Sequence, residues 1–175
     1  MVLRVIAWLI MLIGGSVLGL WLDWQLFQPL FFSPLFHILS LLPGIILLRL
    51  VLQASRNTGR FLARTTREGN LPRFETNRLV TTGYYACMRH PMHFGLLFFP
   101  LSVALILGSV SFILFIAPVE MVFMIAMIKF FEEPEAIRKF GQEYLDYKNR
   151  VPMFSLKWNC LKPLFSKKNG GSAVL

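Results

Sequence analysis

The sequence has few charged residues, and few of those are acidic. Only 15% of its 175 residues are charged and 55% are hydrophobic, whereas roughly 25% of residues are charged in an average soluble domain. This composition excludes a conventional soluble domain, and it also excludes a disordered chain, which requires low hydrophobicity. It predicts a small polytopic membrane protein.

The shortage of acidic residues leaves a net charge of +9, from eighteen Lys and Arg against nine Asp and Glu. In a soluble chain this excess would suggest a nucleic-acid partner, but in a membrane chain it first indicates topology. The basic residues flank apolar runs and do not form a separate basic domain, so no nucleic-acid partner is predicted.

Two common site signals are missing as well. The only cysteines are Cys87 and Cys160, and neither has the spacing of a metal ligand. Cys87 lies close to His90 and His93, which is weak evidence for zinc, so no metal site is predicted. No Gly-x-Gly-x-x-Gly segment follows a strand, which excludes a Rossmann-type cofactor site.

What the sequence does contain is three long apolar stretches. The first is the uncharged run 5–22, and the second, 29–48, predicts a helix over 35–52. The third, 94–131, would be about 57 Å long as one helix, against a hydrocarbon core about 30 Å thick. It must fold back, and Gly108-Ser109 is the best turn. The expected fold is therefore all-α, with four transmembrane helices, of which the last two form a hairpin, and a C-terminal cytoplasmic helix.

The distribution of charge predicts the orientation of these spans. Segment 54–91 carries seven Arg and two Glu, net +5; segment 132–175 carries eight basic and five acidic residues, net +3; segment 23–34 carries Asp23 alone. With four spans, both basic segments lie on one side, which the positive-inside rule identifies as the cytoplasm. We therefore expect a multi-pass protein of a bacterial inner membrane or an endomembrane, with both termini and two reduced cysteines in the cytoplasm.

The same reasoning predicts five regions along the chain. They are a two-span region 1–53, a basic cytoplasmic loop 54–91, a transmembrane hairpin 92–131, a cytoplasmic amphipathic segment 132–160 and a flexible tail 161–175.

The predicted hairpin has a geometric consequence for two polar clusters. Its first helix follows Arg89-His90-Pro91 and its second ends at Glu132-Glu133, so antiparallel packing should bring the clusters together. Exposed N–H groups after Pro91 favour an anion, and the Glu pair favours a cation or hydroxyl groups. The amphipathic segment that follows, with an apolar stripe through Phe140 and Tyr144, is predicted to close this site.

These residues resemble a known family. Residues 81–95, TTGYYACMRHPMHFG, resemble a Gly-x-Tyr…Arg-His-Pro-x-Tyr-x-Gly motif. Residues 132–152 resemble a Glu-Glu…Phe-Gly-x-x-Tyr-x-x-Tyr…Val-Pro motif. Together the two motifs resemble the isoprenylcysteine carboxyl methyltransferase family, which is related to phospholipid methyltransferases. The resemblance covers about residues 79–154 and implies an integral membrane methyltransferase that uses S-adenosylmethionine.

The resemblance also implies roles for individual residues. Arg89 and Glu133 are the implied catalytic residues, with Arg89 orienting an anionic acceptor. The implied cofactor-binding residues are His90, Pro91, Gly95, Tyr84, Glu132, Glu133, Tyr144 and Tyr147. The acceptor would be lipid-like or isoprenylcysteine-like, with its apolar part in the bilayer.

The reacting group of the acceptor stays open at this point. His93 stands where the family usually has Tyr, which puts acceptor identity in doubt. A carboxylate acceptor needs no base and Arg89 could orient it, whereas an amine would need Glu132, Glu133 or His93 as base. The sequence does not specify the oligomeric state.

The Arg-His-Pro segment leaves two alternative functions open. Membrane sterol and steroid reductases, which use NADPH, carry a similar Arg-His-Pro segment, but Met92, His93 and Leu96 replace its usual Asn, Tyr and Glu. The other alternative is a non-enzymatic accessory protein of the same fold.

Glu120 lies within the fourth predicted span, where it is expected to be protonated, to pair with Arg49 or to line an acceptor cavity.

Overall fold

The computed structural model describes residues 2–65 and 78–166, with side chains from residue 6 onward. The regular secondary structure in this part of the chain is entirely helical, which confirms the predicted all-α fold. The α-helices are α1 (Val2–Leu26), α2 (Gln28–Phe31), α3 (Pro34–Thr65), α4 (Tyr84–Cys87), α5 (Pro91–Leu97), α6 (Phe99–Leu107), α7 (Ala117–Met127), α8 (Glu133–Phe140), α9 (Gln142–Arg150) and α10 (Trp158–Leu164). Two π-helical segments, Phe112–Ile116 and Ile128–Glu132, precede α7 and α8.

Helical stretches long and apolar enough to cross a membrane occur three times in the described residues: Ile6–Leu26, Pro34–Thr65 and Phe112–Phe140. A fourth apolar helical stretch, Pro91–Leu107, is shorter. Many large apolar side chains on the long helices are exposed; Ile10, for example, is 66% exposed. Such surfaces are stable against lipid and unstable against water, so the apolar helices support the predicted membrane protein.

The predicted reversal of the third apolar stretch occurs at the expected residues. Gly108 ends α6 with φ at +63°, a left-handed conformation that glycine adopts without steric cost. The backbone N–H groups of Gly108 and Ser109 bond back to carbonyls of the last turn of α6, and the helical structure resumes at Val110.

The second span continues further than predicted. α3 ends at Thr65 instead of residue 52, and it includes Pro43 without ending there. The extension carries Arg56, Arg60 and Arg64, and arginine has a high helix propensity. The predicted basic loop therefore begins with helix, and its arginines at 67 and 73 lie outside the described residues.

The chain divides into two compact units, and the first comprises residues 1–49 and 97–127. Within it, α1 packs against Phe112–Ile116 and α7, and α6 packs against α7. Asp23 is buried in this unit, and its Oδ1 accepts a hydrogen bond from the Ser111 N–H over 2.7 Å. This bond ties the end of α1 to the start of the last apolar helix.

Glu120 is buried in the same unit and lies against α1. It is 2% exposed, and a Cβ added at Gly15 would lie 2.5 Å from its Oε1. Neither carboxylate oxygen has a hydrogen-bond partner among the described residues. The pairing with Arg49 that was one of the expectations for Glu120 is not formed.

The second unit comprises residues 50–96 and 128–175. Here α4 packs against α10, and a disulfide joins Cys87 to Cys160 with their Cα atoms 5.6 Å apart. The expectation of two reduced cysteines was therefore wrong for this structure. It rested on the predicted cytoplasmic location, whereas the contact of α4 with α10 depends on tertiary packing that no local pattern shows.

The predicted flexible tail also begins too early. α10 extends to Leu164, which is 1% exposed. Asn57 of α3 donates hydrogen bonds to the carbonyls of Leu164 and Ser166, and Gln53 donates to that of Phe165. Residues 161–166 are thus held against α3, and the polar Gly-rich end of the tail lies outside the described residues.

Candidate active site

The two predicted polar clusters meet in the second unit. Nε of Arg89 donates a hydrogen bond to Oε1 of Glu133 over 3.0 Å, and Nη2 donates to the same oxygen over 2.5 Å. Forty-four residues separate this pair in the sequence. Arg89 lies just before α5, which Pro91 begins, and Glu133 begins α8, which has Pro134 in its first turn. Pro91 fixes the start of α5, whereas Pro134 lies inside a helical stretch that continues from Phe112 to Phe140. The expected end of the second hairpin helix at Glu132-Glu133 was therefore wrong.

The backbone beside Arg89 pairs with the Val-Pro segment. The N–H of Arg89 donates to the carbonyl of Pro152 over 2.9 Å, and the N–H of His90 donates to that of Met153 over 3.2 Å. These bonds hold residues 152–153 alongside the Arg-His segment. The Val-Pro pair therefore lies at the same site as the Arg-His-Pro motif.

The guanidinium of Arg89 donates its hydrogen bonds to other groups of the protein. Besides Glu133, its Nη1 donates to the carbonyls of Lys148 over 3.1 Å and of Val151 over 2.5 Å. The side chain is only 8% exposed. Because its donors face these partners, Arg89 fastens α8 and the end of α9 to the Arg-His segment.

Glu133 receives a second basic partner from α9. Nζ of Lys148 lies 2.7 Å from Glu133 Oε2, and the Glu133 side chain is 2% exposed. A buried carboxylate is costly unless it is paired and hydrogen-bonded, and two basic side chains meet that requirement here. Breaking either pair would leave an uncompensated buried charge.

The two histidines lie beside Glu132. Nε2 of His93 is 3.2 Å from Glu132 Oε1, and Nδ1 of His90 is 3.8 Å from Glu132 Oε2. His90 Nε2 is 3.7 Å from Glu133 Oε1, which is too long for a hydrogen bond. Burial lowers the pKa of His90, although the nearby Glu133 carboxylate opposes this shift. The imidazole of His90 is therefore favoured in its neutral form.

A cavity of about 230 Å³ opens next to these groups. It is lined by polar, aromatic and aliphatic side chains: Leu62, Arg78, Leu79, Val80, Tyr85, Arg89, His90, Met92, His93, Glu132, Ala136, Phe140, Tyr144 and Tyr147. The mixture of charged groups and aromatic faces suits a polar organic molecule with an aromatic part.

Three tyrosines contribute to this cavity. Tyr147 donates its hydroxyl to the carbonyl of Tyr85 over 2.6 Å, and burial raises the pKa of both tyrosines. Burial, with a smaller effect of the Glu133 carboxylate, raises the pKa of Tyr144 to about 12. All three hydroxyls are therefore neutral near neutral pH and remain hydrogen-bond donors.

Not every predicted site residue reaches the cavity. Arg89, His90, Glu132, Tyr144 and Tyr147 line it, and Glu133 supports them from behind. The predicted cofactor residues Tyr84, Pro91 and Gly95 do not line it. These three are packed elsewhere, as their contacts show.

Tyr84, Pro91 and Gly95 are buried in helix packing. Tyr84 is 4% exposed, and its ring meets that of Phe61 edge to face. A Cβ added at Gly95 would lie 2.9 Å from the Cβ of Ala54, so this glycine allows α5 to approach α3 closely. Pro91 is fully buried at the start of α5.

Sequence reasoning missed Lys148 and Tyr85 as parts of the site. Lys148 lies four residues after Tyr144, on the same face of a helix, and this spacing was the available signal. Tyr85, and not the predicted Tyr84, occupies the tyrosine position of the Gly-x-Tyr motif counted from Gly83, and this spacing was the available signal.

The fold and the site define a class: a helical membrane protein in which two separated motifs enclose a small mixed-charge cavity. The family model for phospholipid methyltransferases matches residues 35–143, so the chain belongs to that family. This confirms the resemblance on which the sequence analysis relied.

Curated relatives are similar over a shorter segment. The protein-S-isoprenylcysteine O-methyltransferases of Mus musculus and Rattus norvegicus are each 35% identical over 85 residues, and that of Homo sapiens is 34% identical. The similarity covers 45% of this chain. The chain spans only 27% of the length of these relatives.

Proposed function

We propose that this chain is an integral membrane methyltransferase that uses S-adenosylmethionine as methyl donor. The observation that carries the proposal is the arrangement of Arg89, His90 and Glu132 around one cavity, with Glu133 supporting them from behind. The family membership and the similarity to protein-S-isoprenylcysteine O-methyltransferases support it. When bound, the donor supplies an electrophilic methyl group on its sulfonium, and transfer requires mainly alignment and exclusion of water.

The described side chains fit the polar groups of such a donor. His90 Nε2 and the Tyr144 hydroxyl are buried and make no hydrogen bond within the described part of the chain. Buried polar groups normally have partners. The Tyr144 hydroxyl is therefore available to the donor, whereas His90 Nε2 faces Glu133 Oε1 at 3.7 Å. The cavity of about 230 Å³ is below the roughly 300–1,000 Å³ of typical ligand pockets; it therefore accommodates part of the donor as it stands.

We assign His90, Glu132, Tyr144 and Tyr147 to donor binding. Glu132 would accept hydrogen bonds from hydroxyl or ammonium groups, and the tyrosine rings would pack against the adenine. Arg89 and Glu133 are assigned as positioning residues in place of the direct catalytic roles expected from the sequence. Their polar atoms are engaged with each other, with Lys148 and with backbone carbonyls.

Tyr84, Pro91 and Gly95 support the site through packing. Gly95 and Pro91 set the start of α5 and its approach to α3, which determines where His90 stands. In this proposal they influence donor affinity without touching the donor.

The proposed acceptor is a lipid-like amphiphile whose apolar part stays in the bilayer. The proposed reaction side is the cytoplasm, with both termini on that side, in a bacterial inner membrane or an endomembrane. The net charges of segments 54–91 and 132–175 support this orientation. With this topology, Cys87 and Cys160 would meet cellular reductants, and their disulfide would form under oxidising conditions.

A titration of the purified chain in detergent tests the donor. We expect S-adenosylmethionine and S-adenosylhomocysteine to bind with micromolar affinity in calorimetry and to raise the melting temperature, and NADPH to do neither. Glu132→Gln should weaken binding by roughly tenfold or more, because a charge-assisted hydrogen bond is lost. Glu143→Gln is the matched control, since Glu143 is an exposed carboxylate on α9.

The proposal is wrong if NADPH alone binds, or if the folded parent chain binds neither adenosyl compound. The acceptor requires a second assay, in which transfer of a labelled methyl group is measured with membrane lipid extracts, prenylcysteines and small amphiphiles. Incorporation into an extractable amphiphile is the expected result.

A further inference from the structure

We propose that His90, His93 and Glu132 form a binding site for a divalent first-row transition metal. One ligand atom from each residue lies within 4.8 Å of the other two. The residues come from two segments about forty positions apart in the sequence. All three line the same cavity, so an ion held by them would keep an open coordination position toward that cavity.

The two histidines are already arranged on one side of the site. His90 precedes α5 and His93 lies in its first turn, and residues three apart in a helix face the same direction. Their ring centroids are 5.6 Å apart. His93 Nε2 lies 3.2 Å from Glu132 Oε1, close to the separation of two ligands on one tetrahedral ion. Nδ1 of His90 lies 3.8 Å from Glu132 Oε2, so only a small movement of the His90 side chain would let it bind the same ion.

An orienting partner for one ligand is present as well. The second ring nitrogen of His90, Nε2, faces Glu133 Oε1 at 3.7 Å. A histidine that binds a metal almost always directs its other nitrogen to a carboxylate, a carbonyl or water. Glu133, fixed by Arg89 and Lys148, supplies that carboxylate on the side of the ring away from the proposed ion.

The donor set determines the class of metal. Two imidazoles and one carboxylate suit Zn²⁺, Co²⁺ or Fe²⁺, and they disfavour Mg²⁺ and Ca²⁺, which prefer oxygen ligands. Three protein ligands with an open position are also the pattern of catalytic zinc sites. The sequence predicted no metal site because Glu132, the third ligand, comes from the other motif.

The site depends on a residue that departs from the resembled motif. His93 stands where the resembled motif has Tyr, and a phenol hydroxyl is a poor substitute for an imidazole ligand. His93 is not assigned to donor binding here. His93→Tyr therefore separates the two proposals, because it removes a metal ligand and restores the residue usual in the motif.

A bound ion would also affect donor binding, and this step rests on the proposed function. Coordination would draw His90 and Glu132 toward the metal and away from the donor. S-adenosylhomocysteine should accordingly bind more weakly in the presence of stoichiometric Zn²⁺ than in its absence.

The test uses the full chain in detergent, purified without a histidine tag and stripped of metal with a chelator that is then removed. Co²⁺ is titrated while its visible absorption is recorded, and Zn²⁺ binding is measured by calorimetry. We expect one ion per chain, with the intense Co²⁺ bands of a four-coordinate site. His93→Tyr and Glu132→Gln should each lower the affinity by at least roughly 10- to 100-fold, and Glu143→Gln should not.

Helix content by circular dichroism, and S-adenosylhomocysteine binding without metal, show whether His93→Tyr is folded. The metal proposal is overturned if the folded parent binds no Co²⁺ or Zn²⁺, or if His93→Tyr binds as tightly as the parent. If Co²⁺ binding follows the expected pattern and no adenosyl compound binds, the metal site stands and the proposed function fails.

Discussion

At the scale of single residues, Arg89 holds the most contacts of the site. It joins Glu133 to the carbonyls of Lys148 and Val151, and only a planar guanidinium presents donors in so many directions at once. The sequence indicated that Arg89 was important because of its motif. It did not indicate that the partners would be internal, since a motif does not specify where each donor points.

Arg89→Lys tests this internal role. A lysine keeps the charge but leaves backbone acceptors without donors, and each such loss costs about 1–3 kcal/mol. We expect the free energy of unfolding to fall by about 2–4 kcal/mol, measured by denaturant titration in detergent. Arg150→Lys is the control, because Arg150 is exposed. Equal stability of Arg89→Lys and the parent would contradict the role assigned to Arg89.

Tyr144 predicts how stability changes at alkaline pH. Burial raises its pKa to about 12 in the folded chain, whereas the unfolded value is about 10. Above pH 10 the Tyr144 hydroxyl loses its proton in the unfolded state first. The stabilisation that comes from the protonated hydroxyl is therefore complete below about pH 10 and is lost as the pH rises toward 12. The unfolding free energy of Tyr144→Phe should therefore fall less steeply between these pH values. Parallel curves for variant and parent would refute the shift.

At the scale of helices, close approach depends on a few glycines. A Cβ added at Gly44 of α3 would lie 2.8 Å from the backbone nitrogen of Ile106 in α6. A Cβ at Gly14 of α1 would meet no atom within 4 Å. Both are glycines inside long apolar runs, and such a run does not show which of its residues meets a neighbouring helix.

Gly44→Ala should therefore destabilise the chain and Gly14→Ala should not. The added methyl at position 44 must push backbone aside, and overpacking costs about 1–3 kcal/mol, whereas alanine at position 14 gains up to about 1 kcal/mol of helix propensity. Thermal unfolding in the same detergent measures both. A melting temperature of Gly44→Ala at or above that of Gly14→Ala would be the opposite of what this packing requires.

Helix types and the reversal at Gly108 could be read from the sequence because they follow from apolar run length and turn chemistry. Helix ends could not. α3 continues to Thr65 and α10 ends at Leu164. The end of α10 is held by hydrogen bonds from Asn57 of α3 to the carbonyls of Leu164 and Ser166, and these partners are distant in sequence. The break between α8 and α9 at Gly141, with φ at +57°, likewise divided a segment expected to be one amphipathic helix.

At the scale of the whole molecule, the charge distribution predicts orientation. The two basic segments should lie in the cytoplasm and segment 23–34 on the opposite side. The disulfide between Cys87 and Cys160 belongs more naturally to an oxidising compartment. The charge distribution and the disulfide thus favour different locations for residues 87 and 160, and a direct measurement of the orientation distinguishes them.

Cysteine labelling gives that measurement. In a chain lacking Cys87 and Cys160, Gln28→Cys and Asn149→Cys place single thiols at exposed positions, one on each predicted side of the membrane. With intact cells and a membrane-impermeant maleimide, we expect Gln28→Cys to be labelled and Asn149→Cys to be labelled only after permeabilisation. The reverse pattern would refute the orientation and would place the disulfide in an oxidising compartment.

The contacts of Arg89 also set the order in which the protein can be completed during synthesis. Its side-chain partners lie 44, 59 and 62 residues downstream, and its backbone partner is Pro152. The apolar helices before Glu133 can enter the membrane while translation continues, but Arg89 has no permanent partner until residues 133–152 have emerged. Ribosome-bound chains that stop before Val151 should therefore lack a finished cavity, and we expect the site to be assembled after these apolar helices have been inserted.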